Sequence, residues 1–211
     1  MAKRNTKEII LLEALRLFAD RGYDGVAVRD IAAQVGVKQS SLYKHYASKE
    51  EILNCIFTDM KRRYLEMTRS IPLPEGHDFS LLASDYQNIG IEGLRQVCKT
   101  IFLYWLTDEK GSLFRRLLIL EQCKHSQAEQ LLREFLLDGA LRYQTELFSE
   151  MIRNGYFRKA DPEVMALEFY SPIYLLLCKY DGQPERKEEA LELLTKFIED
   201  FDANHRKRES A

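Results

Sequence analysis

The fifteen residues from Val37 to Glu51, VKQSSLYKHYASKEE, hold two tyrosines, one histidine, three lysines and three serines. Almost none of these side chains suits an apolar core, and most can donate hydrogen bonds. Dense donors on a short segment answer an acceptor-rich surface such as phosphate oxygens and base edges. Gln39 can read adenine through two hydrogen bonds, and Ser40 can reach a base or a phosphate. Tyr43 and Lys44 project where phosphates would lie, which sets register without reading sequence. Lys38, Ser41 and His45 belong to the same donor set, and Lys49 adds positive charge at the start of the next helix.

Enzyme chemistry finds no comparable cluster. The histidines His45, His77, His125 and His205 are scattered, and none accompanies a serine or cysteine nucleophile pattern. There is no metal-ligand spacing, phosphate-binding glycine loop or paired-carboxylate motif, so neither a metal nor a cofactor is expected. Cys55, Cys98, Cys123 and Cys178 each lie within an apolar helical pattern and are expected to be reduced, buried thiols.

A donor-rich segment can read DNA only if rigid elements present it, and nearly every stretch of the 211 residues is patterned as helix. Residues 7–21 place Leu11, Ala14, Leu15 and Phe18 on one stripe, with Thr6 as N-cap and Gly22 just beyond the end. VRDIAAQV (28–35) makes two turns that stop at Gly36, with Ile31 and Val35 inward. Residues 37–46 form the next helix, anchored by Leu42 and Tyr46 four positions apart. Two short helices about a glycine turn, the second exposing donors, make a helix-turn-helix over residues 28–47. Ser48 to Glu51 form a capping box that opens a long helix to about Thr68. SIPLPEGHD (70–78) breaks that helix. Further helices are expected over 91–107, 112–123, 126–155, 162–180 and 184–203, with Pro172 kinking the fourth and HRKRESA (205–211) frayed. No strand pattern or repeat is visible, so the expected fold class is all-α.

Charge divides along the chain. Residues 1–63 carry 12 Lys+Arg against 8 Asp+Glu, whereas residues 64–211 carry 19 against 25. A basic first part suggests a nucleic-acid contact and an acidic remainder a separate role. No apolar run reaches the ~20 residues of a membrane span, and MAKRNTKEII lacks an apolar signal region. A soluble, cytoplasmic protein with no membrane partner is expected.

GYDGVAVRDIAAQVGVKQSSLYKHYASKEEIL (22–53) resembles the DNA-binding signature of the TetR family of bacterial transcriptional regulators. The matching marks are Gly22-Tyr23, Ile31-Ala32, Gly36-Val37, Leu42-Tyr43, Tyr46 and Ser48-Lys49-Glu50. The resemblance implies a three-helix DNA-binding domain over 1–48, joined by a long helix to a ligand-binding and dimerisation domain over 49–211. It further implies a homodimeric repressor on a palindromic double-stranded operator, released by a small-molecule effector. Ala27 departs from the family's usual threonine, leaving the backbone N–H groups of Val28 and Arg29 for phosphate.

The last two helices are apolar enough to pair with their copies in a second chain. In the family the pocket lies among the C-terminal helices, which here are rich in aromatics. Phe102, Trp105, Tyr143, Tyr170 and Tyr174 are its expected lining, with Glu121 and Arg142 as possible polar contacts. A DNA-binding adaptor or nucleoid-type protein without an inducer is the alternative.

Overall fold

The computed structural model describes residues 6–70 and 78–207. Its helices are α1 (Thr6–Arg21), α2 (Val28–Val35), α3 (Gln39–Leu42), α4 (Lys49–Arg69) and α5 (Phe79–Leu106). They continue as α6 (Glu109–Glu121), α7 (Ser126–Leu136), α8 (Asp138–Arg153), α9 (Pro162–Lys179) and α10 (Lys187–His205). A 3-10 turn, Pro184–Arg186, precedes α10. The fold is all-α; one isolated antiparallel bridge joins Phe157 and Arg206. Most of the expected break at 70–78 lies outside the described residues. No helix among the described residues is long and apolar enough to cross a membrane.

The chain forms two compact units, residues 1–67 with 108–132, and residues 68–107 with 133–211. The first contains the whole expected reading segment and adds most of α4 and all of α6. Three short helices bury too little apolar surface to stand alone. Here α1 packs on both α2 and α6. Ile10, Ala14 and Phe18 of α1, Ile31 of α2, Ile52, Ile56 and Phe57 of α4, and Phe114 and Leu117 of α6 are all buried. The Phe57 and Phe114 rings meet edge to face, 6.1 Å apart.

In the second unit α8 packs on α9 and α5, and α10 packs on α5 and α9. Its core is aromatic: Phe148 lies within 5.6 Å of Phe157, Phe169 and Phe201. The expected helix over 91–107 is the latter part of a longer one. Asp78 caps its start by accepting from the Ser80 and Leu81 N–H groups. Gly90 bends it with φ 62°, a left-handed value that glycine adopts without a Cβ penalty. The single helix expected over 126–155 is two, because Leu137 (φ −129°, ψ −98°) leaves helical geometry between α7 and α8. Helix α9 starts as expected, with Asp161 accepting from the Glu163 and Val164 N–H groups ahead of Pro162. It runs through Pro172 as one helix.

The α9–α10 connection is tied by Glu189. Arg186 and the Tyr180 hydroxyl both donate to its carboxylate, at 2.8 and 2.6 Å. The Arg186 bond first, and then Tyr180, pull that carboxylate down to about 2. His205 to Lys207 are not frayed. His205 is buried, Arg158 N–H donates to its carbonyl at 2.8 Å, and Lys207 N–H donates to Tyr156 O at 2.9 Å. Residues 208–211 lie outside the described residues. All four cysteines are free thiols, but Cys55 and Cys98 are half-buried, and Cys123 and Cys178 are exposed rather than buried. Cys123 falls in the turn after α6, and Cys178 on the outer side of α9.

Gly139 marks the tightest approach at the α7–α8 break. A Cβ there would lie 1.9 Å from the Glu134 carbonyl oxygen, a backbone atom that cannot swing aside. Gly139→Ala should therefore destabilise the protein by about 1–3 kcal/mol, as overpacking does. A thermal unfolding midpoint equal to that of the wild type would contradict this account of the break.

Candidate nucleic-acid interface

The candidate interface is built on α2. Ala27 precedes it with extended backbone, φ −93° and ψ 157°. Alanine cannot cap, so the reciprocal half of the cap acts instead: Asp30 accepts from the Ala27 N–H at 2.8 Å. Val28 and Arg29 then occupy the first turn, where N–H groups lack intrahelical acceptors. The Arg29 side chain is 82% exposed. Helix α2 buries Ile31 and Ala32 and ends at Gly36, φ 76°. A Cβ on Gly36 would meet nothing within 4 Å, so its left-handed backbone, not crowding, accounts for glycine there. The Gly36 and Val37 N–H groups close the end by donating to Ala33 O and Ala32 O, at 3.1 and 2.9 Å.

The reading element is shorter than the expected 37–46. Regular helix covers only Gln39–Leu42, and hydrogen-bonded turns carry the chain to Tyr46. His45 N–H and Tyr46 N–H both donate to Leu42 O, at 2.9 and 3.1 Å. Leu42 is fully buried and Tyr46 nearly so, and together they fix the element to the unit's core. The Tyr46 hydroxyl donates to Lys7 O at 3.2 Å, and burial pushes its pKa up to about 12. Around these anchors Lys38, Gln39, Ser40, Tyr43 and Lys44 are exposed, while Val28, Ser41, His45 and Lys49 are half-buried.

Lys49 has an intramolecular role beside its expected one. Its Nζ donates to Tyr23 O and Val26 O, both at 2.8 Å, and lies 4.0 Å from the centre of the Tyr23 ring. The side chain thus clamps the turn between α1 and α2 to the start of α4. Ser48 caps α4 by accepting from the Glu51 N–H at 3.0 Å, while the Glu51 carboxylate accepts from the Ala47 N–H. Glu121 is not a surface charge. It is buried at the end of α6, where Oε1 accepts from the Tyr23 N–H at 2.8 Å. Sequence reasoning missed both contacts, since Tyr23 is separated from Lys49 by 26 positions and from Glu121 by 98.

The second unit encloses a cavity of about 40 Å³ lined mainly by apolar side chains, with Tyr86, Cys98 and Tyr143 on its wall. Burial raises both tyrosine hydroxyls, which also hydrogen-bond to each other, and pushes the Cys98 thiol up to about 12. Of the five expected pocket residues, only Tyr143 lines this space. Phe102 and Trp105 are buried, Trp105 against Phe135 at 6.3 Å. The Tyr170 hydroxyl donates to Leu136 O at 3.0 Å, and its ring lies 6.3 Å from Tyr174. Arg142 is an exposed partner of Glu134 at 3.4 Å. Tyr86, Cys98 and Phe148 were missed because apolar residues at helical spacing read alike as cavity wall and as packed core.

A glycine-turned helix pair that holds a donor-rich face on a buried platform defines a helix-turn-helix DNA-binding regulator. Residues 10–56 match the family model for bacterial regulatory proteins of the tetR family. The biofilm operon icaADBC HTH-type negative transcriptional regulator IcaR of Staphylococcus epidermidis is 28% identical over 171 residues, which are 81% of this chain and 78% of that one. Among solved structures, the SmeT–triclosan complex has a TM-score of 0.65 at 19% identity, covering 96% of this chain and 92% of that one. AibR in complex with isovaleryl coenzyme A and operator DNA has a TM-score of 0.61 at 22% identity, covering 90% and 96%. Residues 10–56 thus match the tetR-family DNA-binding domain, and the chain has the fold of these solved regulators.

Since Leu42 is the buried pin of the reading element, Leu42→Ala should cost about 2–5 kcal/mol. Urea denaturation checks the loss. A variant as stable as the wild type would show that the exposed donors do not depend on this anchor.

Proposed function

We propose that this regulator is a dimeric repressor whose two reading elements bind the halves of a palindromic operator and which a small molecule releases. The observation that carries the reading is the exposure of Gln39, Ser40, Tyr43 and Lys44 around the buried Leu42 and Tyr46. Gln39 and Ser40 would meet base edges. Lys38, Ser41, Tyr43, Lys44, His45 and the N–H groups of Val28 and Arg29 would meet phosphates. Lys49 would add its charge there while clamping the turn. Residues 1–48 would do the reading, and residues 49–211 would sense and pair. The protein would work in the cytoplasm, with the DNA it binds. The negative regulation named for IcaR supports repression. AibR, seen with isovaleryl coenzyme A and operator DNA, and SmeT, seen with triclosan, support a small-molecule effector.

Pairing would run through α9 and α10. Val164, Leu167 and Leu175 are exposed along α9, Leu175 at 64%, and Leu193 is exposed on α10. Leaving so much apolar surface in water is unfavourable, and antiparallel packing against a second copy would cover it. A dimer is required in any case to place two readers one helical turn of DNA apart. An effector would act by preferring one tilt of α4, and its influence equals its differential affinity for the two states.

A second reading, a DNA-binding adaptor or nucleoid-type protein without an inducer, is favoured by the size of the cavity. About 40 Å³ holds roughly one water, whereas ligand pockets are about 300–1,000 Å³. On the first reading an effector must open this space beside Tyr143, towards Phe102, Trp105, Tyr170 and Tyr174. Thermal melting against a panel of hydrophobic and amphipathic small molecules separates the two. A raised midpoint together with weakened operator binding supports the repressor, and no shift across the panel supports the adaptor.

Operator affinity should fall steeply with salt, and Lys44→Ala should lower the slope of log affinity against log salt by about one. Gln39→Ala should instead relax preference at one base position, at about 1–3 kcal/mol. Indistinguishable effects on slope and preference would overturn this division of roles. Light scattering should give a dimer mass, and a monomer would remove the pairing through α9 and α10.

A further inference from the structure

Glu121 is 1% exposed, yet only one of its carboxylate oxygens is hydrogen-bonded. While Oε1 takes the Tyr23 N–H, Oε2 is buried without a hydrogen-bond partner and lies 3.4 Å from His125 Nε2. A buried carboxylate half satisfied in this way is costly unless a positive group offsets it. The His125 ring also stands edge-on to the Tyr23 ring, 4.9 Å between centres and 83° between planes. One imidazole therefore touches both the acid and the residue that the acid holds. The turn is shaped for this approach, since a Cβ on Gly22 would lie 2.9 Å from Glu121 Oε1. The His125 side chain is 30% exposed, so solvent protons reach it.

The other charged groups around Tyr23 come from three elements. Asp24 lies on the turn itself, Lys124 follows α6 and pairs with Asp24 at 3.4 Å, and Lys49 and Glu50 belong to the first turn of α4. Lys49 holds the Tyr23 and Val26 carbonyls. None of these groups hydrogen-bonds to Glu121 Oε2.

We propose that Glu121 is a positioning residue for DNA binding, and that protonation of His125 tightens its hold on the Gly22–Tyr23 turn. A neutral imidazole brings no charge to the buried carboxylate. An imidazolium draws its Nε2–H onto Oε2, completing a charge-assisted pair while Oε1 keeps the Tyr23 N–H. Protonation thus favours the conformer in which the end of α6 is latched to the turn that launches α2. Helix α3 is carried on the far end of α2, so a fixed turn holds the donors of residues 38–44 in one orientation. A reader ordered in advance loses less entropy on meeting DNA and binds it more tightly. The linkage has one sign: a proton added to His125 raises operator affinity, so affinity rises as pH falls. The inference rests on the DNA-binding reading of residues 28–47.

The test uses the full chain and a DNA duplex that the wild type selects from a random library, with affinity read by fluorescence anisotropy from about pH 8 to about pH 6. The wild type should gain about fivefold in affinity over that range, the lower end of coupling between sites. His125→Phe keeps a ring edge against Tyr23 without a titrating proton, and should flatten the profile. Glu121→Gln keeps an acceptor for the Tyr23 N–H without the charge, and should flatten it too. His45 is present in all three proteins, so its contribution cancels between them. Circular dichroism melts at each pH establish that each variant is folded, and His125→Gln replaces the phenylalanine variant if that one is not. A flat wild-type profile, or a folded variant that keeps the wild-type profile, overturns the proposal. If the wild type enriches no duplex at any pH, the DNA-binding reading fails and this inference falls with it.

Discussion

The turn between α1 and α2 carries backbone polar groups that no helix satisfies, and the reading unit depends on how they are paired. The Tyr23 N–H goes to Glu121 of α6, and the Tyr23 and Val26 carbonyls go to Lys49 of α4. A buried backbone group left unpaired costs about as much as a lost hydrogen bond, so these contacts are structural obligations. They also fix the direction in which α2 leaves the turn. Two helices distant in sequence thus meet at the one point from which the helix-turn-helix is aimed.

Beyond that point the reading element is held from beneath. It has too few residues to be stable as an isolated helix. Its order comes from Leu42 and Tyr46, both buried, and from Gly36, whose left-handed backbone lets the chain reverse without strain. This division leaves the remaining side chains free of packing duties. Donors that face outward from a fixed backbone can select among bases, whereas the same donors on a mobile loop would bind any polyanion. Ala27 shows how local the requirement is. With no side chain to cap α2, the Asp30 carboxylate meets the Ala27 N–H instead.

The second unit follows different physics. Phe148, Phe157, Phe169 and Phe201 pack as one aromatic cluster, and a cavity of about 40 Å³ lies against it. Dense aromatic packing resists small rearrangements and favours discrete ones. On the proposed function, opening that core is what an effector must accomplish. On the same proposal, the exposed apolar residues of α9 would be covered by a second copy of the chain.

Much of this was legible without coordinates. The glycine at 36, the four-residue step from Leu42 to Tyr46, the Ser48–Glu51 cap and the Asp161-Pro162 helix start are short-range rules of backbone chemistry. They placed the helix-turn-helix and most helices correctly. Where the reading missed, the cause lay beyond short range. The break at Leu137 interrupts a good helical pattern and sets Gly139 against the Glu134 carbonyl. Gly90 bends a helix whose earlier part showed no clear stripe. His205 sits in a tail that reads as polar and frayed, yet it is buried beside Phe157 and Phe201.

By itself, then, the sequence determined the fold class, the reading segment and which of its side chains must turn inward, because periodicity and capping act over a few residues. Only the tertiary structure decided that Glu121 and Lys49 hold the turn, that four of the five expected pocket aromatics do not line the cavity, and that α6 joins the reading unit. Those outcomes depend on which helices lie against one another. Residues at equivalent helical spacing become core, cavity wall or latch only when their neighbours in space are known.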